Sequence, residues 1–324
     1  MVKAVRVHET GGPDVLQIED LDLPPPGEGE ARVRNYAVGV NYIDVYYRNG
    51  QYPVAQKPFI LGNEAAGEVT ECGKGVKGFK PGDRVAYTTG LGCYAQERNV
   101  AASQLVKLPK AISYETAAAA MLKGLTAHYL VRRTFKVKKG HTILVHAAAG
   151  GVGLILCQWA KALGAEVIGT AGSPDKAKLA KKAGAKHCIL YRDEDFVARV
   201  KEITGGKLCD VVYDGVGKAT FPGSLDCLRP LGLFVSFGSA SGPIEAFNLG
   251  LLAQKGSLFA TRPTLYTYIA KREDLEKGAE ELFDVIEKGD VEIPVHARRK
   301  LDDVVAVHRD LEGRATTGAT VLIP

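Results

Sequence analysis

The residues most plainly equipped for chemistry are Ala147-Ala-Ala-Gly-Gly-Val-Gly153. A β-rich apolar run, Thr142 to Ala147, enters them, and a helical pattern, Val152 to Lys161, leaves them and stops at Gly164. Strand, glycine turn and helix is the context in which a dinucleotide fingerprint works. Gly150 and Gly151 let the backbone turn sharply and approach a pyrophosphate, and Gly153 lets the helix pack on the strand. Ala149, Gly150, Gly151, Val152 and Gly153 are therefore candidate pyrophosphate contacts, at the positive end of a helix dipole. The spacing is Ala-x-x-Gly-x-x-Gly, not the commoner G-x-G-x-x-G, so the elements downstream must support it.

A second chemical corner follows. A site for NAD places Asp or Glu ~20 residues beyond its glycines, where it holds the ribose 2′-hydroxyl. Counting from Gly150 reaches Thr170, and Gly169-Thr-Ala-Gly172 contains no acid. Ser173, followed by Pro174, reads as the N-cap of a new helix, with Lys176 in its first turn. A missing acid, a helix N-terminus and a lysine suit a 2′-phosphate, so Thr170, Ser173 and Lys176 point to NADPH.

The elements that position these residues alternate. After Glu166–Thr170 and the Ser173 helix come a strand at His187–Tyr191, a helix from about Asp193 and a strand at Cys209–Asp214. Further strands fall at Leu231–Phe237 and Ser257–Thr261. Such βα alternation specifies an α/β fold with a doubly wound parallel sheet, here over residues 125–261. Residues 1 to about 110 are instead short β runs: Lys3–His8, Leu16–Leu21, Glu30–Val40, Ala65–Glu71, Arg84–Tyr87 and Ala95–Asn99. Turn signals such as Pro24-Pro-Pro-Gly and Lys80-Pro-Gly-Asp83 separate them, which suggests a small barrel. Ser113 is a candidate N-cap for an alanine-rich helix reaching about Arg133. Beyond Arg262-Pro263 helices are expected at 271–288 and 302–312, then an edge strand at Gly318–Ile323. Residues 262–324 should return to the first domain, giving domains of 1–124 with 262–324, and 125–261.

The whole chain fits this picture. It has 324 residues, 46% hydrophobic and 24% charged, with a net charge of +5; two domains are expected. Its N-terminus begins a strand, not a signal peptide, and no apolar run is long enough to span a membrane. The six cysteines, without C-x-x-C spacing, read as free thiols, Cys157, Cys188 and Cys209 being buried, and the protein as cytoplasmic. A pI of 8.7 without an arginine stripe or stacking aromatics does not mark a nucleic-acid partner. His8, His128, His146 and the other histidines lack ligand spacing; His146 reads as a packed or loop-supporting residue. Lys176, Lys178, Lys181 and Lys182 share one helix, most of it a solvated face.

Three stretches resemble the quinone oxidoreductases, the zinc-less, zeta-crystallin-like branch of the medium-chain dehydrogenase/reductases. They are Gly39-Val-Asn-Tyr-Ile-Asp-Val-Tyr-Tyr-Arg-Asn-Gly-Gln-Tyr-Pro53, Leu61-Gly-Asn-Glu-Ala-Ala-Gly-Glu68, and Lys123-Gly-Leu-Thr-Ala127 through the glycine turn to Tyr191-Arg-Asp-Glu-Asp195. The resemblance implies a GroES-like barrel beside a Rossmann domain, with the active site between them. It further implies Asn41, Tyr46 and Tyr52 at the nicotinamide end, as the candidate catalytic residues. Lys123, Thr126, Tyr191, Gly238, Ser239, Phe247, Arg262 and Arg314 are the implied additional cofactor contacts, and Asn41 could hold a ribose hydroxyl or a substrate carbonyl. Zinc-dependent members carry a cysteine on the stretch matching Val40–Asp44 and a histidine where Asn63 stands. Here neither is present, Cys93 is alone, and Asp44 and Glu64 read as carboxylates that solvate or pair with arginine. No metal is expected.

Reduction of a plain ketone creates an alkoxide that needs a metal or a proton donor, whereas a quinone is already electrophilic and delocalises the charge it gains. The expected function is an NADPH-dependent quinone reductase acting by hydride transfer, single-electron delivery to some quinones remaining open. The alternatives are an enone or enoyl-thioester reductase and a crystallin-like RNA-binding protein. The family's sheets join through their last strand, and Ser257–Thr261 is apolar, so a homodimer is expected.

Overall fold

The computed structural model describes residues 1–313 and 317–324. The chain forms two compact units: residues 1–123 with 269–287 and 293–324, and residues 124–268 with 288–292. Residues 262–268, expected with the barrel, pack in the second unit.

The first unit opens with β1 (Val2–Val7), β2 (Leu16–Leu21) and β3 (Glu30–Gly39), followed by α1 (Tyr42–Arg48), β4 (Phe59–Ile60) and β5 (Glu64–Cys72). Then come β6 (Arg84–Thr88), β7 (Glu97–Ala101), β8 (Leu105–Lys107) and α2 (Tyr114–Tyr129), whose residues from Gly124 on count with the second unit. Side chains along β3 alternate between core and surface, as a half-buried antiparallel strand requires. The inward set, with Val5, Val33, Val69, Val85, Tyr87 and Leu105, forms one apolar core. The Ser113 hydroxyl accepts the Thr116 N–H, capping α2 as its sequence predicts. α1 is absent from the strand-and-turn reading, because Tyr-Ile-Asp-Val-Tyr-Tyr-Arg is rich in β-formers.

The second unit holds β9 (Thr142–Val145), α3 (Gly151–Ala162), β10 (Glu166–Ala171), α4 (Pro174–Lys182), β11 (His187–Leu190) and α5 (Phe196–Ile203). It continues through β12 (Cys209–Asp214), α6 (Gly223–Asp226), β13 (Leu228–Ser236), α7 (Gly250–Gln254), β14 (Phe259–Thr261) and α8 (Leu265–Tyr268). The six-stranded sheet runs β11-β10-β9-β12-β13-β14, all parallel. That is the doubly wound order of a Rossmann fold, and strand order reverses between β9 and β12, where such sheets bind ligands beyond their carboxyl ends. Leu144, Ile168, Val212 and Phe234 are central to its core. β14 is an edge, and its Phe259 is 61% exposed.

α9 (Arg272–Glu287), β15 (Val295–Lys300), α10 (Val304–Glu312) and β16 (Ala319–Ile323) return to the first unit. The strand expected as an edge is interior: β16 lies between β15 and β3. The edge is β15, which carries His296, Arg298, Arg299 and Lys300 and went unseen in the sequence because its residues are mostly exposed. The seven-stranded sheet runs β15-β16-β3-β5-β6-β8, with β7 paired to β3, and β2-β1-β4 form a small companion sheet.

Candidate cofactor and substrate site

The turn between β9 and α3 is built for close backbone approach. Ala147 takes φ 52°, a left-handed conformation disfavoured for a residue with a Cβ. The Gly150 N–H donates to the Ala147 carbonyl at 2.8 Å, and Gly150 is the N-cap of α3. A Cβ on Gly153 would stand 2.4 Å from the Ala147 carbonyl oxygen, so only glycine seats α3 this near β9. First-turn N–H groups of a helix have no partner inside it; those at Gly151, Val152 and Gly153 fit a pyrophosphate. Ala149 is buried at the same turn.

At the end of β10 the Ser173 hydroxyl accepts the Lys176 N–H at 3.4 Å, with Pro174 first in α4. Tyr191, just past β11, is half-exposed and reaches over this turn: a Cβ on Gly172 would lie 2.5 Å from its hydroxyl. Ser173, the Lys176 backbone in the first turn of α4, and Tyr191 thus lie at one corner, with no acidic residue between Gly169 and Ser173. Asp175 stands in the first turn and pairs with Lys178 on the surface. Thr170 is placed differently from a direct contact. It is 1% exposed, and its hydroxyl lies 3.1 Å from His146 Nδ1 and 3.4 Å from the Ala147 N–H, which it accepts. It supports the turn from beneath.

The loops after β12 and β13 pack on one another. A Cβ on Gly238 would come 2.6 Å from the Gly215 carbonyl. Ser239 is buried beside it, while Phe247 is half-exposed and packs edge-on against Phe221 at 5.4 Å. Arg262 donates to the Ser236 carbonyl at 2.9 Å, fixing its guanidinium at the carboxyl end of β13. Thr126 is buried on α2. Arg314 lies outside the described residues.

In the first unit two predicted residues, Asn41 and Lys123, converge on a carboxylate that sequence reasoning misjudged. Glu64 and Asp44 neither solvate nor pair with arginine; both are 0% exposed. Glu64 Oε1 accepts Lys123 Nζ at 2.8 Å and Asn41 Nδ2 at 2.8 Å, and its Oε2 accepts the Leu122 N–H at 2.6 Å. A buried charge persists when paired and hydrogen-bonded, and Lys123 supplies the pair. The sequence signal was present, since a carboxylate opening the apolar run Glu64-Ala-Ala-Gly must find an internal partner. Asp44 accepts the Asn63 amide at 2.6 Å, the Asn41 N–H at 2.8 Å and the Tyr94 hydroxyl at 2.9 Å. Burial pushes its pKa up to about 6.

Tyr94 continues this network to α10. Arg48 donates to His308 Nδ1 at 3.0 Å, and His308 Nε2 lies 3.1 Å from the Tyr94 hydroxyl. A guanidinium only donates, so Nδ1 is an acceptor, the proton sits on Nε2, and His308 is neutral. Burial, then the Arg48 charge, hold its pKa down to about 3. Tyr46 is buried and packs between Tyr42, at 5.5 Å, and Tyr52, at 5.2 Å; Tyr52 also meets Tyr47. Tyr46 thus lies buried among aromatic rings, while Tyr52 is part-exposed.

Among the described residues no three His, Cys, Asp or Glu side chains gather so as to hold a metal ion. The six cysteines are free. Burial raises every thiol pKa, to about 11 at Cys188 and about 12 at Cys209. No helix among the described residues is long and apolar enough to cross a membrane.

Comparison with known proteins matches residues 27–110 to the alcohol dehydrogenase GroES-like domain and residues 151–284 to a family described as zinc-binding dehydrogenase. The chain is 53% identical to a quinone oxidoreductase of Pseudomonas aeruginosa over the full length of both. It is 44% identical to a 2-haloacrylate reductase of Burkholderia, covering 100% of this chain and 99% of that one. Its structure is similar to that of the Escherichia coli quinone oxidoreductase complexed with NADPH. There the TM-score is 0.97 and the identity 51%, over 99% of this chain and 100% of that chain.

Proposed function

We propose that this chain, which belongs to the quinone oxidoreductase family of the medium-chain dehydrogenase/reductases, is a zinc-independent, NADPH-dependent quinone reductase. The observation that carries the reading is the corner of Ser173, Lys176 and Tyr191, which has a helix N-terminus and a cation where an NAD site has an acid. Residues 149–153 would hold the pyrophosphate, and Gly238, Ser239, Phe247 and Arg262 the nicotinamide end. Bound NADPH supplies a hydride.

The chain's own residues then orient and neutralise. Lys123, held by Glu64, and Asn41 offer polar hydrogens to a substrate oxygen that gains charge; Tyr52 offers a flat face and a hydroxyl proton. A quinone needs positioning more than a Lewis acid, and the residues at the zinc positions are engaged with one another. We assign the protein to the cytoplasm, as a homodimer joined through β14, with a small-molecule quinone as its partner. The kinship with a 2-haloacrylate reductase favours activated alkenes as a second substrate class.

The test is oxidation of NADPH and of NADH against a panel of quinones, enones and simple ketones. Quinone turnover with NADPH preferred is expected. Activity confined to saturated ketones, or a preference for NADH, overturns the reading.

A further inference from the structure

A buried hydrogen-bond chain lies beneath the phosphate turn, and its proton order can be deduced. Ser224 Oγ is 2.8 Å from Asp214 Oδ2, 3.1 Å from the Thr220 carbonyl and 3.0 Å from His146 Nε2. The carboxylate and the carbonyl can only accept, and the hydroxyl has one proton. Were that proton given to His146, the lone pairs of Ser224 would face both oxygens. His146 Nε2 therefore carries a proton and donates it, and Ser224 donates to Asp214. In a neutral ring His146 Nδ1 is then an acceptor, so Thr170 donates its hydroxyl proton at 3.1 Å and receives the Ala147 N–H on its oxygen at 3.4 Å. The chain runs in one direction from Ala147 through Thr170, His146 and Ser224 to Asp214.

Asp214, the last residue of β12, holds the loops that follow β12 and β13. Its Oδ1 accepts the Val216 and Gly217 N–H groups at 2.8 and 3.0 Å, and its carbonyl accepts those of Phe237 and Gly238 at 2.8 and 3.3 Å. One end of the chain thus holds the left-handed residue of the phosphate turn, and the other holds the loops after β12 and β13. The two ends of the chain stand at β9 and β12, between which the sheet order reverses.

We propose that His146 is a positioning residue for the dinucleotide, a neutral imidazole of fixed Nε2–H tautomer that locks the phosphate turn to the loops at residues 215–217 and 238. This inference rests on the NADPH reading above for the identity of the ligand, but not for the hydrogen-bond order. Burial lowers the His146 pKa against the opposing pull of Asp214, in keeping with a neutral ring.

The test has two arms. Nitrogen-15 NMR of the cofactor-free protein at pH 7 should show His146 neutral and protonated at Nε2. An Nδ1–H tautomer or an imidazolium overturns the proposal whether or not NADPH binds. In the second arm, Ser224→Ala and His146→Gln are titrated with NADPH and with adenosine 2′-monophosphate, which reaches only the Ser173 corner. NADPH should bind ~10-fold more weakly and the monophosphate unchanged, because only the turn has lost a buried partner. Equal losses for both ligands, or none for either, overturn it. Absence of NADPH binding by the unaltered protein removes the function reading and, with it, the dinucleotide as ligand, while the NMR arm still decides the hydrogen-bond order.

Discussion

Lys176 and Tyr52 allow the proposed roles to be tested one side chain at a time. A hydrogen bond to a charged group contributes ~1.5–3 kcal/mol, so Lys176→Ala should weaken NADPH binding ~10- to 150-fold and leave NADH nearly unaffected. Titration of both cofactors checks this; equal losses would move the 2′-phosphate elsewhere. General-acid assistance is typically worth ~10²–10⁴-fold, and solvent can protonate a hydroquinone anion, so Tyr52→Phe should lower kcat by less than that range. Complete loss of turnover would make Tyr52 the essential acid. Residue types alone revealed that the Ser173 corner lacks an acid, because a helix cap and its first turn are local in sequence. They did not reveal that Thr170 faces His146, or that Asn41 and Lys123 share the Glu64 carboxylate, because those partners come from elements 23 to 59 residues apart.

Elements were legible wherever one strand or helix carries its own signature. Leu16–Leu21 and Cys209–Asp214 are strands over the residues their patterns mark. β4, β8 and β15 were missed because they are short or exposed and exist by pairing with distant chain. The same dependence ties α1 to α10, through Asp44, Tyr94, His308 and Arg48, and gives a pH signature. His308, pressed down to about 3 from 6.5, contributes stability that is complete above pH 6.5 and is lost as pH falls toward 3. Asp44, raised from 3.8 to about 6, works in the opposite sense: the folded state holds its proton more tightly, so its effect favours folding as pH falls through 6 toward 4. Between about pH 4 and 6 the two nearly cancel. Asp44→Asn should expose the His308 slope, so that variant stability falls with acid by about 1.4 kcal/mol per pH unit more than wild type. Denaturant melts across that window measure it; parallel profiles would separate the two groups.

At the scale of the whole molecule two of the sheet edges, β15 and β14, differ in character. β15 is lined with arginine, lysine and histidine, which discourages another strand from pairing. β14 is short and apolar, with Phe259 exposed and Leu231 and Leu249 exposed as well. Sedimentation at micromolar concentration should therefore show a dimer, and Phe259→Glu should yield a folded monomer. A wild-type monomer, or a variant that remains dimeric, would place the interface elsewhere. The thiols carry a different consequence. Quinones alkylate thiolates, so the proposed function would expose the protein to damage from its own substrate. Every cysteine here has its pKa raised by burial, which leaves almost no thiolate at neutral pH. The native protein should survive prolonged incubation with benzoquinone without gaining mass, while the unfolded chain is rapidly arylated. Folding acts here as chemical armour.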